Sequence, residues 1–322
     1  MKKLFFSLAA IAALFATSCV TEVNSNLSVS GEETVTFSIK TANIGTRSYN
    51  DGLKATQLTY AVYDKDWKHV QTFTTEFENG SLEKQISLRL VKNKTYNFVF
   101  WAQNPNVTCY TLDLESENQM PSVSIDYSNL ASNNDNLDAF FGQEPNFKVD
   151  GTNNGKTITL KRPFAQINFG TSDLEAAKNM GYDIANATVS FKTKAYNKFY
   201  LNDGSVDGAL VDVNFTAATP IDTDKNTKSL ATNQYGSYHW VSMNYILWAN
   251  PDVPADASKD MSLPVCEITL NMANQEPIVI EVPGAPVRRN WRTNLVGLLL
   301  TEDSAFSVII LPEPENNYEQ NI

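Results

Sequence analysis

The two histidines and three cysteines of this 322-residue chain are its best candidates for zinc binding or thiol chemistry: Cys19, His69, Cys109, His239 and Cys266. Neither histidine lies in an H-E-x-x-H pattern or beside a pair of cysteines, so their spacing predicts no zinc site. Cys109 and Cys266 are far apart in sequence and fall in different predicted domains. We therefore expect no disulfide between them, and stability has to come from burial.

The acidic residues do not form a recognisable catalytic or cation-binding motif either. The run Asp222–Thr227 begins like a calcium loop, but Thr227 and Asn233 stand where glycine and glutamate are required, which indicates a solvated loop. The formal net charge is −11 and no lysine or arginine cluster is present, which disfavours nucleic-acid binding. No nucleophile elbow, phosphate-binding loop or dinucleotide fingerprint occurs. The sequence thus predicts neither an enzyme nor a cofactor.

Cys19 stands in a different context, directly after an apolar export segment. Lys2 and Lys3 precede the apolar run 4–15, which has the form of a secretory signal and is too short to span a bilayer. The small residues of 16–18 then lead into Cys19, and this junction resembles a bacterial lipoprotein signal, whose cysteine is acylated and becomes the mature N-terminus. The alternative is an ordinary cleavable signal that contains a cysteine. We predict a signal peptide over 1–18 and lipidation at Cys19.

A short strand and an arginine follow the predicted anchor. After a polar tether over 20–33, Val35, Phe37 and Ile39 alternate with polar residues, which is typical of a half-buried strand over 34–40. Arg47 is the only arginine in the first 88 residues and lies in a polar stretch. Loops of that kind are preferred sites of proteolysis.

Similar alternating runs recur along the chain, whereas helical periodicity is nearly absent. The pattern predicts an all-β protein of two tandem β-sandwiches, of the transthyretin-like or Greek-key type, over 48–158 and 159–322. One strand is predicted to run through 156–169, with Pro163 at a bulge or an edge. The capping box 172–175 and Gly181 predict one short helix in the second sandwich.

A cluster of aromatic residues gives a second functional interpretation. It consists of Tyr238, Trp240, Tyr245 and Trp248. Exposed rings at these positions would suit carbohydrate binding, whereas a sandwich core would bury them. Core packing is the commoner outcome, and we favour it here.

Taken together, these pieces resemble the fimbrillins, the type V pilin lipoproteins of anaerobic gut and oral bacteria. The resemblance is carried by Cys19, by the early strand that precedes Arg47, by 160–168 at the start of the second domain, and by 289–294 before a late strand. It implies a fimbrial (pilus) subunit that acts in adhesion and reaches the cell surface as an outer-membrane lipoprotein, with fatty acids such as palmitate on the cysteine.

The resemblance also implies an assembly mechanism. An arginine-specific protease would cut between Arg47 and Ser48, and the segment 19–47 would leave with the strand that carries Val35, Phe37 and Ile39. A strand of another pilin subunit would then fill the vacated groove by donor-strand exchange, which is a form of β-augmentation.

The donor strand and the function itself have alternatives. Phe306, Val308 and Ile310 alternate near the C-terminus and form a candidate donor strand, although a plain closing strand of the second sandwich explains the same pattern. The main alternative function is a monomeric outer-membrane lipoprotein that binds glycans through exposed aromatics. A more distant alternative is an enzyme whose acidic site is built by the fold.

Overall fold

The computed structural model describes residues 21–22, 31–41, 52–78, 81–152, 155–192, 194–218, 239–247, 261–262, 266–282, 286–301 and 305–312. Cys19, Arg47, Ser48 and the calcium-loop-like run 222–227 lie outside these ranges. The described strands are β1 Thr21–Glu22, β2 Glu32–Thr41, β3 Gln57–Asp64, β4 His69–Glu76, β5 Glu83–Val91, β6 Thr95–Gln103, β7 Tyr110–Asp113, β8 Ser122–Ile125, β9 Ala139–Lys148, β10 Gly155–Leu160, β11 Ala165–Thr171, β12 Ile184–Phe191, β13 Ala195–Tyr200, β14 Val206–Val211, β15 Asn214–Ala218, β16 His239–Ile246, β17 Met261–Ser262, β18 Cys266–Met272, β19 Ile278–Val282, β20 Pro286–Val287, β21 Trp291–Leu298 and β22 Ala305–Pro312.

The strands form five four-stranded sheets and one two-stranded sheet, β17-β20, in the described part of the chain. We number the larger sheets by strand order: first β1-β5-β2-β10, second β4-β3-β6-β9, third β14-β13-β8-β7, fourth β16-β11-β21-β22, and fifth β15-β12-β18-β19. One α-helix, α1 Leu174–Asn179, and two 3-10 turns, Tyr127–Asn129 and Asp135–Leu137, complete the described elements. The predicted all-β class and the single short helix are confirmed.

The first sandwich consists of the first and second sheets. The inward residues of β2, β3, β5 and β6 form one continuous apolar core between them. Strand β6 is apolar on both faces because the second sheet is covered on both sides: Phe98 and Phe100 face the first sandwich core, whereas Val99 and Trp101 belong to a separate core. The Trp101 ring lies 5.8 Å from Tyr110 in β7, which places the third sheet against this outer face.

The second sandwich consists of the fourth and fifth sheets, and its core includes Ile167 and Phe169 of β11, Val189 of β12 and Ile268 of β18. Two sandwiches in one chain are thus confirmed. The domain limits at 158 and 159 stay a prediction. That position falls inside β10. The third sheet also combines β7 and β8, which precede this limit in the chain, with β13 and β14, which follow it.

The single strand predicted over 156–169 is wrong in its middle. The chain forms β10 and then β11, which belong to different sheets, and the gap between them holds Arg162, Pro163 and Phe164. Pro163 has no N–H to donate to a backbone ladder. The buried Arg162 side chain donates to Asp138, which lies outside both β10 and β11. The break therefore connects the two sandwiches.

The predicted capping box is also wrong, although the helix exists. The N-cap residue is Asp173 and not Ser172, and the Asp173 side chain makes no capping hydrogen bond. Its carboxylate instead accepts the backbone N–H groups of Leu300, at 3.0 Å, and Thr301, at 2.8 Å. Asp173 therefore ties the start of α1 to the chain that follows β21.

Asp173 should make the stability of this region depend on pH. Burial acts to raise the pKa of this carboxyl group, but hydrogen bonds from Thr171, Leu300 and Thr301 outweigh it and hold the pKa below its usual value. A depressed folded-state pKa contributes stability above the unfolded value of about 4, and that stability is lost as pH falls through the folded-state pKa.

We expect Asp173→Asn to lower the free energy of unfolding by about 1–3 kcal/mol at pH 7, and by clearly less at pH 3. Urea unfolding at the two pH values measures both numbers. The exposed Asp183→Asn serves as the control and should change little at either pH. An equal loss from Asp173→Asn at both pH values would contradict the assigned role.

Candidate functional site

Strand β2 and the groove that holds it form the candidate site. The ten residues of β2 alternate as the sequence predicts, and the strand is longer than the predicted 34–40 by two residues at its start and one at its end. Val35, Phe37 and Ile39 are 1%, 0% and 1% exposed, so the inward face of the strand is completely covered. The other face is polar, and Thr36 Oγ1 lies 3.0 Å from Ser87 Oγ of β5 there.

Both edges of β2 are paired. It runs antiparallel to β5, from Glu32 opposite Val91 to Lys40 opposite Glu83. It runs parallel to β10, from Thr36 opposite Gly155 to Thr41 opposite Leu160. Strand β2 is therefore an interior strand of the first sheet, and its removal would leave β5 and β10 with an unpaired edge each.

The inward side chains of β2 pack into an aromatic cluster. The ring centroid of Phe37 lies 4.8 Å from Phe98, 5.3 Å from Phe147 and 6.1 Å from Phe100. Strands β6 and β9 of the opposite sheet supply these rings. Phe37 is thus at the centre of the first sandwich core. Its ring occupies an apolar pocket formed by residues outside β2, so removal of β2 would open that pocket.

The segment predicted as a polar tether, 20–33, contributes strand residues. Glu32 and Glu33 belong to β2, and β1 pairs with the other edge of β5, with Thr21 opposite Arg89 and Glu22 opposite Leu88. The tether prediction is therefore wrong at these positions. Polar residues suffice in both places, because backbone groups make the pairing.

A buried ion pair lies beside this groove, at the junction of the sandwiches. The Arg162 guanidinium donates through Nε to Asp138 Oδ1 at 2.6 Å and through Nη2 to Asp138 Oδ2 at 2.7 Å. Both side chains are at most 2% exposed. The Arg162 guanidinium also lies 4.7 Å from the ring centroid of Phe140. Sequence reasoning included Arg162 in a family-like segment but gave no signal for its partner.

A known protein family matches nearly the whole chain. A protein-family model described as a family of unknown function (DUF6562) matches residues 16–322. The chain belongs to this family. A search of the curated proteins found no match.

Solved structures share the fold of this DUF6562 protein. A candidate polysaccharide-binding protein from Bacteroides thetaiotaomicron has a TM-score of 0.51 at 12% identity, over 89% of this chain and 98% of that one. The tip fimbrial protein Mfa3 from Porphyromonas gingivalis, truncated at its C-terminus, has a TM-score of 0.50 at 10% identity, over 87% and 99%. A candidate adhesin from Bacteroides ovatus has a TM-score of 0.50 at 12% identity, over 90% and 95%. The fimbrillin resemblance seen in the sequence is thereby confirmed at the level of the fold.

The candidate donor strand of the DUF6562 protein lies at a sheet edge. Phe306, Val308 and Ile310 fall in β22, whose backbone pairs with β21 alone among the described strands. Phe306 stands opposite Gly297 and Ile310 opposite Thr293. Strand β22 is thus the closing strand of the fourth sheet in this conformation, as the plainer interpretation of the sequence has it.

Two rings of the predicted aromatic cluster are core residues. Trp240 is 4% exposed and Tyr245 is 3% exposed, both within β16. An exposed platform that includes them is therefore excluded, because a sugar could not stack on either ring. Tyr238 and Trp248 lie outside the described residues.

The thiols and histidines of the described part do not form a reactive centre. Cys109 and Cys266 are buried and unpaired with each other, and burial raises the pKa of Cys109 to about 11 and that of Cys266 to about 12. Thiols with such values are not nucleophiles near neutral pH. His69 Nε2 lies 2.8 Å from Thr72 Oγ1 on its own strand.

The described ranges lack both a metal-ligand cluster and a membrane-spanning helix. They contain no group of three or more histidine, cysteine, aspartate or glutamate side chains placed to hold a metal ion. They also contain no helix with the length and apolar character needed to cross a membrane.

Proposed function

We propose that this DUF6562 protein is a non-catalytic subunit of a surface fimbria that acts in adhesion. It is exported as a lipoprotein, acylated at Cys19 and held at the outer membrane. The observation that carries the proposal is the position of β2. An N-terminal strand that precedes the lone early arginine is an interior strand of the first sheet, with three fully buried side chains.

Assembly follows from the release of that strand. An arginine-specific protease cuts between Arg47 and Ser48, and the segment 19–47 departs with both β1 and β2. The vacated groove then exposes the sites of Val35, Phe37 and Ile39. Burial of such side chains is worth about 1.5–3 kcal/mol each, so the groove strongly favours a replacement strand from another subunit.

The replacement strand comes from the C-terminal segment of a neighbouring subunit in this proposal. Strand β22 is an edge strand, so its withdrawal breaks one backbone ladder, whereas withdrawal of an interior strand breaks two. Phe306, Val308 and Ile310 repeat the spacing of the three inward residues of β2. They therefore offer apolar side chains at the same alternate positions.

Fold neighbours support this role over the glycan-binding alternative. One of them is a tip fimbrial protein and another a candidate adhesin. The alternative, a monomeric lipoprotein that binds glycans through exposed aromatics, gains support from the candidate polysaccharide-binding neighbour. It loses support from the burial of Trp240 and Tyr245.

Digestion of the exported chain with an arginine-specific protease tests the proposal. We expect one early cut, an N-terminal sequence that begins at Ser48, and multimers in light scattering after size-exclusion chromatography. Arg47→Ala should resist the cut and stay monomeric. A product that begins at Ser48 and remains strictly monomeric would refute strand exchange.

A peptide competitor gives the matched control for the groove. A synthetic peptide of residues 32–41 should suppress multimer formation when added to the cut chain, because it reoccupies both paired edges. The same peptide with Phe37→Asp should not, because it would place a charge in the aromatic cluster. Equal inhibition by the two peptides would show that the groove is not the assembly site.

A further inference from the structure

A cleft of about 700 Å³ lies where the third sheet meets the fifth. Strand β14 ends at Val211, and the chain passes through Asp212 and Val213 into β15, so the cleft is bounded by edge strands of both sheets. Residues of β7, β8 and the 3-10 turn at 127–129 form its other walls. Its volume is within the range of small-ligand sites, and junctions between packed units are common places for such sites.

The polar walls of the cleft offer hydrogen-bond donors. Asn197 Oδ1 accepts from the N–H of Ala209 at 2.9 Å, and Asn214 Oδ1 accepts from Ser190 Oγ at 2.7 Å. With each amide oxygen engaged in this way, the amide nitrogen is the group of each side chain that can donate to a ligand. The hydroxyl groups of Thr111 and Ser124 line the same space.

The same walls offer acceptors. Asp212 is 73% exposed, and Lys194 Nζ lies 3.9 Å from its Oδ1. Asp126 lies across the cleft, where Oδ1 accepts from the backbone N–H and the hydroxyl of Ser128. The cleft therefore has amide and hydroxyl donors beside carboxylate acceptors.

The floor of the cleft is apolar. It is formed by the buried residues Ile125, Tyr127 and Phe215, together with the half-buried Val211. The Tyr127 hydroxyl is occupied, because it accepts from the N–H of Leu247 at 3.0 Å. Ile125, Tyr127 and Phe215 are at most 4% exposed, so accessible carbon at the floor comes chiefly from Val211, and the Tyr127 ring is not a stacking surface.

We infer that this cleft binds a neutral carbohydrate. Each sugar hydroxyl both donates and accepts, which suits walls that mix amides, hydroxyls and carboxylates. The lining residues include two carboxylates and no lysine or arginine, and the nearby Lys194 is paired with Asp212, so acidic sugars and phosphates are disfavoured as ligands. The inference rests on this cleft alone, and does not depend on strand exchange or on the aromatic cluster.

Saturation-transfer NMR with the full exported chain tests the inference. The probes are neutral hexasaccharides of glucose, mannose, galactose and xylose, with an oligogalacturonate of the same length as the acidic comparison. We expect at least one neutral probe to bind at millimolar concentration and the acidic probe to bind at least tenfold more weakly. No binding by any neutral probe, or tighter binding by the acidic one, would overturn the inference.

Substitutions in the cleft locate the site. Asp212→Ala and Asn214→Ala should each weaken binding of the neutral probe about tenfold, because each removes a hydrogen-bonding group from the walls. Asp207→Ala is the matched control, since Asp207 is exposed on β14 and does not line the cleft. Equal weakening by Asp207→Ala, or none by the two cleft variants, would show that the sugar binds elsewhere. Thermal unfolding of each variant verifies the fold.

Discussion

Substitution of Phe37 by alanine is expected to lower the free energy of unfolding of the uncut chain by about 3–5 kcal/mol. Phe37 is completely buried, and its ring contacts Phe98 and Phe147 at the centre of the first sandwich. The small side chain leaves a cavity in a core that spans two sheets. Urea unfolding, followed by near-ultraviolet circular dichroism, measures the loss.

The region of the protein that Phe37→Ala destabilises is as informative as the size of the loss in unfolding free energy. Hydrogen exchange should accelerate in β5 and β10, the two strands that pair with β2. The exposed Thr34→Ala on the same strand is the control and should leave both measurements nearly unchanged. A loss below about 1 kcal/mol from Phe37→Ala would mean that β2 is not an integral strand, and would remove the physical basis of the proposed exchange.

Loss of the Asp138–Arg162 ion pair is the second large expected effect. Arg162→Ala should lower the free energy of unfolding by about 3–5 kcal/mol, because it leaves the carboxylate of Asp138 buried without its bidentate partner. Asp138→Ala should cost a similar amount. The pair lies where β10 ends and β9 begins, so the loss should loosen the contact between the two sandwiches.

A double-mutant cycle separates the pair from its surroundings. The double variant Asp138→Ala/Arg162→Ala should cost clearly less than the two single variants added together, because no uncompensated charge is then left in the interior. The exposed pair Lys65 and Asp66 is the comparison, and Lys65→Ala should have no measurable effect. Additive losses at Asp138 and Arg162 would show that the two side chains act independently.

Local patterns in the sequence predicted the strands and their buried faces. Alternation at Val35, Phe37 and Ile39 gave the inward face of β2 correctly, because the side chains of a strand point to opposite faces in turn. For β6 the structure supplies the explanation afterwards: its apolar run over 98–102 is covered by the first sandwich core on one face and by the third sheet on the other. The alternation pattern of a strand depends only on residues that are close together in the chain, so the sequence is enough to predict it.

Pairing partners depended on the tertiary structure. Nothing near β2 in sequence indicates that β10, more than a hundred residues later, lies parallel to it. Ladders are made by backbone groups, which are nearly the same at every residue, so sequence carries little information about which strands meet. For the same reason the sequence did not reveal that β7 and β8 share a sheet with β13 and β14.

For polar interactions, too, the sequence and the tertiary structure determine different features. The sequence alone determined an acidic, all-β chain with an early strand whose alternate residues are buried. Only the tertiary structure decided that Asp173 holds the chain after β21 and that Arg162 is neutralised by Asp138. A charged side chain is tolerated in the interior only when a partner reaches it, and here each partner comes from a distant segment or across a break between strands.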